Sequence, residues 1–142
     1  MIIDFEKSRD FFESNSLNYV CAYLDERGIP AESYREYIKK SSIGFLVDNL
    51  TIVNEEEYVV DCFLGSSDDY SYDIKKANLM AEIEEDDICA VAMFCGGDLI
   101  CLHKNNDKVY LLPLMEDEPI EIGCSWDDFI NRVDIHDVDP NN

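Results

Sequence analysis

The sequence predicts an α+β fold in which a central, mostly antiparallel β-sheet is flanked by helices. Three observations predict it. The stretch from Ile88 to Leu112 reads as a three-strand meander, both faces of that meander are apolar, and segments with helical periodicity stand on either side of it. Ile88-Cys-Ala-Val-Ala-Met-Phe-Cys95 is an apolar run of strand length, Gly96-Gly97 turns it, and Asp98-Leu-Ile-Cys-Leu102 runs back. Val109-Tyr-Leu-Leu112 adds a third strand before Pro113 limits further pairing. A Gly-Gly loop suits a tight hairpin because glycine tolerates the positive φ the turn demands. With Gly96 and Gly97 as the whole loop, Cys95 faces Asp98, Phe94 faces Leu99, Met93 faces Ile100, Ala92 faces Cys101 and Ala90 faces His103. Along the first strand, Ala90, Ala92 and Phe94 point one way and Cys89, Val91, Met93 and Cys95 the other. A sheet wetted on one side would alternate with polar residues. This one is therefore expected to be covered on both sides, by its own helices before any partner.

The elements around the meander follow from local pattern. Residues 1–13, with Phe5, Phe11 and Phe12 among charges, read as a helix ended by Asn15-Ser16. Leu17, Val20, Cys21 and Leu24 form the stripe of an amphipathic helix that stops at Gly28, a residue suited to a left-handed cap. Pro30 opens a second helix whose apolar edge is Tyr34, Tyr37 and Ile38, running to about Lys40. Residues 43–47 and 50–53, split by Asp48-Asn49, read as a first hairpin, and 58–64 as the next strand. Gly65-Ser-Ser-Asp-Asp69 is a loop followed by Tyr70 and Tyr72. Asp73 then caps a helix predicted to reach about Glu85, with Ile74, Ala77 and Ala81 on one side. Glu84, Glu85, Asp86 and Asp87 would crowd the negative end of that helix dipole, an unfavourable placement unless they face water or a basic partner. Beyond the meander, 115–119 is an acidic loop and 120–122 a short strand. Ser125 and Asp128 make a partial capping box for a last helix with the stripe Trp126, Phe129, Ile130 and Val133. Residues 134–142, with four aspartates and a proline, are expected to fray.

At 142 residues the chain fits one domain spanning 1–142, long enough to bury a core without metal or disulfide staples. The 32 acidic and 11 basic side chains leave a net charge of −21. Such a field repels nucleic-acid phosphates and anionic lipid headgroups and speeds encounter with basic partners, so direct nucleic-acid and membrane binding are disfavoured. Six cysteines at 21, 62, 89, 95, 101 and 124 contain no Cys-x-x-Cys pair. With no signal peptide and no apolar run of bilayer length, they read as reduced, buried thiols of a cytoplasmic protein.

The order of these elements, with four local motifs, resembles the SUKH superfamily, which includes fungal cell-wall assembly regulators of the Smi/Knr type and many bacterial immunity proteins. Gly28-Ile-Pro-Ala-Glu-Ser-Tyr-Arg-Glu-Tyr37 looks like the family's opening, and Phe94-Cys-Gly-Gly-Asp-Leu-Ile-Cys-Leu102 like its glycine-turned hairpin. Lys108-Val-Tyr-Leu111 resembles the strand that follows and Ser125-Trp-Asp-Asp-Phe-Ile130 the closing helix. Where many members have an Asn-Gly-Gly-like turn after the second helix, this chain has Ser41-Ser-Ile-Gly-Phe45. The resemblance implies an α+β domain and, for bacterial members, neutralisation of a cognate toxin by binding it.

No catalytic or metal-binding constellation stands out, and no cofactor is expected. Cys101 and His103 share a strand face, the minimum for a thiolate–imidazole pair, but no third orienting residue accompanies them. The carboxylate runs lack the ligand spacing and central glycine of a calcium loop. An inhibitor of complementary charge can associate quickly with a basic, nucleic-acid-cleaving toxin and cover its phosphate-binding surface. The residues expected to meet such a partner are Asp68, Asp69, Tyr70, Tyr72, Glu116, Asp117 and Glu118, because loops mixing aromatic and acidic side chains suit a basic groove. The expectation is a non-enzymatic, monomeric inhibitor that binds a cognate toxin domain, with an exposed apolar sheet face as the route to any weak dimer. The alternative is a regulatory interaction protein like the fungal branch, with several cellular partners.

Overall fold

The computed structural model describes residues 2–3, 12–41, 46–47, 49–53, 56–94, 96–131 and 133–135. Among the described residues four helices are formed: α1 (Ser16–Glu26), α2 (Glu32–Ser41), α3 (Ile74–Met80) and α4 (Trp126–Asn131). The strands are β1 (Ile2–Ile3), β2 (Leu46–Val47), β3 (Asn49–Val53), β4 (Glu56–Phe63), β5 (Ile88–Phe94), β6 (Leu99–His103), β7 (Val109–Leu112), β8 (Ile120–Gly123) and β9 (Val133–Ile135). Seven of them make one antiparallel sheet in the order β8-β7-β6-β5-β4-β3-β9, and β1 pairs with β2 apart from it. The architecture is α+β with the predicted meander at its centre.

Coverage of both sheet faces follows the apolar pattern. Every residue of β5 is buried except the partly buried Met93. On one side an aromatic cluster joins α2 and α4 to β4. Trp126 stands edge-on to Tyr34 with ring centroids 4.7 Å apart, and Tyr37 stands edge-on to Phe63 at 5.6 Å. Such pairs add roughly 0.5–1.5 kcal/mol each beyond their buried area. At the other contact, α3 reaches the backbone of β5 through Asn78. Its amide accepts from the Ala90 N–H at 2.9 Å and donates to the Ala90 carbonyl at 3.1 Å. Asn78 thus supplies a strand-like partner where β4 has already turned away, its next residue Leu64 still donating to the Val91 carbonyl at 2.9 Å.

Several expectations need correction. The β5–β6 register is not the one a two-residue Gly-Gly loop would set. Phe94 donates to the Asp98 carbonyl, Met93 lies opposite Leu99 and Ala92 opposite Ile100. A bulge between Ala90 and Ala92 then shifts the pairing again, leaving Cys101 opposite Ala90 and His103 opposite Ile88. Gly96 and Gly97 keep positive φ, at 103° and 101°, inside this wider turn. Residues 46–47 and 49–53 do not pair with each other: β2 pairs with β1 and β3 with β4 and β9. Ile2–Ile3, inside the predicted N-terminal helix, form strand β1, and the helix predicted across residues 4–11 lies outside the described residues.

The helix ends show two solutions to one problem. α1 closes as a Schellman motif, with Gly28 donating to the Asp25 carbonyl and Ile29 to that of Leu24, and Gly28 takes a φ of 70°. α3 closes the same way, with Glu82 donating to Leu79 and Ile83 to Asn78, but the left-handed residue is Glu82, at 59°. α3 therefore stops at Met80, five residues before the predicted end, and Glu84 to Asp87 lie in the turn that follows it, outside the helix. The Ser125 cap of α4 forms, with Oγ accepting from Asp128 N–H, and the Asp128 carboxylate reaches back one residue further to accept from Cys124 N–H. Residues 133–135, predicted as helix end and frayed tail, are strand β9, whereas 136–142 lie outside the described residues.

Candidate functional site

The loop between β4 and α3 carries Asp68, Asp69, Tyr70 and Tyr72, and it is tied firmly into the fold. Buried Asp73 accepts from Ser67 N–H at 3.2 Å, from Lys76 N–H at 3.1 Å and from the Tyr19 hydroxyl at 3.2 Å. One carboxylate therefore caps α3, closes the loop and reaches α1. Burial pushes the Tyr19 phenol up to about 12, helped by the charge of Asp73 and the hydrogen bond to it. Asp69 accepts from Ser71 N–H at 2.9 Å, shaping the turn from within, while Tyr72 packs against Phe12 with centroids 5.9 Å apart. Asp68 and Tyr70 are exposed, and Lys76 Nζ lies 4.4 Å from the centre of the Tyr70 ring. Of the four residues, Asp68, Asp69 and Tyr70 are exposed and Tyr72 is half-buried.

Glu116, Asp117 and Glu118 are all exposed in the loop between β7 and β8. The structure adds to them two apolar side chains, Leu114 at 59% and Met115 at 95% exposure, with Ile120 at 42% where β8 begins. The sequence did carry a signal for this tip, since Leu114-Met115 places two apolar residues between Pro113 and the acidic run. Asn78 had one as well, as the polar member of the stripe Ile74, Ala77, Asn78, Ala81.

The two loops are not one surface. β4, β5, β6 and β7 are neighbours paired antiparallel, so β4 and β7 run in opposite directions. The chain leaving β4 into residues 65–73 and the chain leaving β7 into 113–119 thus depart from opposite ends of the sheet.

Cations close to the core serve the fold. Arg27 donates to the Tyr23 hydroxyl at 2.7 Å and to the carbonyls of Ile83 and Ile88 at 2.8 and 2.7 Å, fastening the end of α1 to the entry of β5. Arg35 donates to the Ile29 and Pro30 carbonyls, both at 2.8 Å, and pairs with Asp25, holding the α1–α2 turn. Acidic side chains therefore dominate what the surface offers a partner.

Of the thiols expected to be buried, Cys62, Cys89 and Cys101 are, while Cys21 is half-buried at the side of α1 and Cys124 is exposed just before α4; chemistry at the buried ones meets the barrier of burial. Cys101 is fully buried and its thiol is pushed far up by desolvation; burial lifts Cys89 to about 12 despite the nearby Arg27. A thiol held protonated is a poor nucleophile and a poor metal ligand. His103 Nδ1 accepts from Asn105 N–H at 3.0 Å within its own turn. Among the described residues no group of three or more His, Cys, Asp and Glu is placed to hold a metal ion, and no helix is long and apolar enough to cross a membrane.

Comparison with known proteins joins the sequence motifs to this fold. The model of the SMI1 / KNR4 family (SUKH-1) matches residues 31–132, from the start of α2 through the meander to the end of α4. No curated protein matches the chain. The matched span takes in the α2–α4 aromatic cluster and both candidate loops, and covers well over half of the sequence: the chain belongs to the SMI1 / KNR4 family (SUKH-1).

Proposed function

We propose that this chain is an immunity protein that acts in the cytoplasm, binding a cognate toxin domain one to one and performing no chemistry of its own. Family membership over residues 31–132 is the observation that carries this reading. The net charge of −21 narrows it to a basic toxin, of which a nuclease is the natural example, because an enzyme that grips phosphates is itself cationic. Asp68, Asp69, Tyr70, Tyr72, Glu116, Asp117 and Glu118 are the proposed partner-facing residues. Buried cysteines and locally engaged His103 favour a binding role over turnover.

The test is rescue. The C-terminal domain encoded by the neighbouring gene is expressed in a tester strain with and without this protein. Death without it and survival with it is the expected outcome. A toxic neighbour that still kills in its presence sinks the cognate assignment. A harmless neighbour, together with several partners in a pull-down, favours a regulatory protein like the fungal members.

A further inference from the structure

The turn at the tip of the β7–β8 loop is built at a cost that the fold does not recover. Glu116 donates its backbone N–H to the Pro113 carbonyl at 3.1 Å, closing a four-residue turn. Met115, the third residue of that turn, has a φ of 68°. Glycine or asparagine ordinarily takes a left-handed third position, since other side chains are strained there. Met115 gains no burial in exchange, being 95% exposed. The turn is nevertheless fixed. The Leu114 N–H donates to the Asp98 carboxylate at 2.7 Å, and Leu114 lies so close to the β5–β6 turn that a Cβ on Gly97 would meet it at 3.4 Å. A held turn thus presents Met115 outward, at a position where local energetics favour no side chain at all, with Leu114 more than half exposed beside it.

We infer that Leu114 and Met115 are the apolar anchor of a docking surface for a basic protein that carries an apolar pocket. This rests on the immunity reading and deepens it, because it makes the 113–118 loop, not the 65–73 loop, the centre of binding. Charge selects the occupant. Glu116, Asp117 and Glu118 follow the anchor directly, so a second copy of this chain would bring like charges together, and a nucleic acid or an anionic membrane would be repelled. A basic protein places its cations against that acidic rim while the anchor fills its pocket, the arrangement in which a few buried side chains carry most of the binding energy. The unbranched, polarisable methionine chain adapts readily to such a pocket.

The experiment uses the full chain and, as probe, the purified toxin domain encoded by the neighbouring gene. Met115→Gly relieves the backbone and removes the anchor, so its melting temperature should equal or exceed that of the parent while Kd rises at least tenfold. Leu114→Ser should weaken binding with the melting temperature unmoved. Met115→Gly binding as tightly as the parent overturns the docking surface while the immunity reading stands. A Met115→Gly protein that melts lower shows that the side chain serves the fold and overturns it equally. A parent chain that neither binds nor protects removes both.

Discussion

The loop at 65–73 and the loop at 113–119 carry similar residues but are held in different ways. In the first, Asp73 gathers a loop amide, a helix-cap amide and the Tyr19 hydroxyl, and Ser16 accepts from Ser66 N–H at 3.0 Å. Asp73, Asp69 and Tyr72 are working parts of the fold in this loop, while Asp68 and Tyr70 face solvent. In the second, one carboxylate bond and one turn bond fix the backbone, Leu114 rests against the Gly97 turn, and Met115 points away from everything around it. Residues of the same chemical type therefore contribute to folding in one loop and remain free for recognition in the other.

The largest effect is expected at the tied loop. Asp73→Ala strands a buried amide and removes a helix cap, at about 2–4 kcal/mol in urea unfolding. A loss under 1 kcal/mol would erase the distinction between the loops. Tyr19→Phe tests the same knot through pH. The phenol is raised from 10.0 to about 12, first by burial and then by Asp73, so the folded state favours the neutral form. Its contribution is intact below pH ~10 and fades as pH rises through about 12. Tyr19→Phe should flatten that part of the alkaline stability profile, and an unchanged profile would remove Tyr19 from the knot. Glu82→Gly, which relieves the left-handed end of α3, should stabilise by about 0.5–1 kcal/mol. The smallest shift belongs to the free loop: Asp117→Lys should change stability by no more than about 0.5 kcal/mol. Its effect should fall on the rate of toxin association, most clearly at low salt. A stopped-flow rate equal to the parent's would take that carboxylate out of the interface.

Elements written in local pattern were legible in the sequence. The stripe of α1 and its Gly28 cap, the Ser125 cap of α4, and the strands of the meander all announce themselves within a few residues. Register was not legible, for a physical reason. Where one face of a strand is wet, a one-residue slip exposes apolar side chains and is prohibited, but β5 is apolar on both faces and alternation sets no register. The bulge near Val91 is equally silent in sequence. Pairings of β1 with β2 and of β3 with β9 join distant segments, and no local signal marks them. The stop of α3 was hidden because a glutamate occupies the place of a glycine. Of the candidate site, the acidic residues were legible by type. Their separation to opposite ends of the sheet was not, since it depends on strand direction.

Trp126 is the only tryptophan in the chain, and it sits at the junction of α2, α4 and β4, with Tyr34, Tyr37, Phe63 and Phe129 around it. Its fluorescence therefore comes from one dry, crowded place, and light absorbed by Tyr34 and Tyr37 can be passed to it across a few ångströms. Loss of that transfer and a red shift of the emission would report, optically and without a label, the moment the two helices part from the sheet.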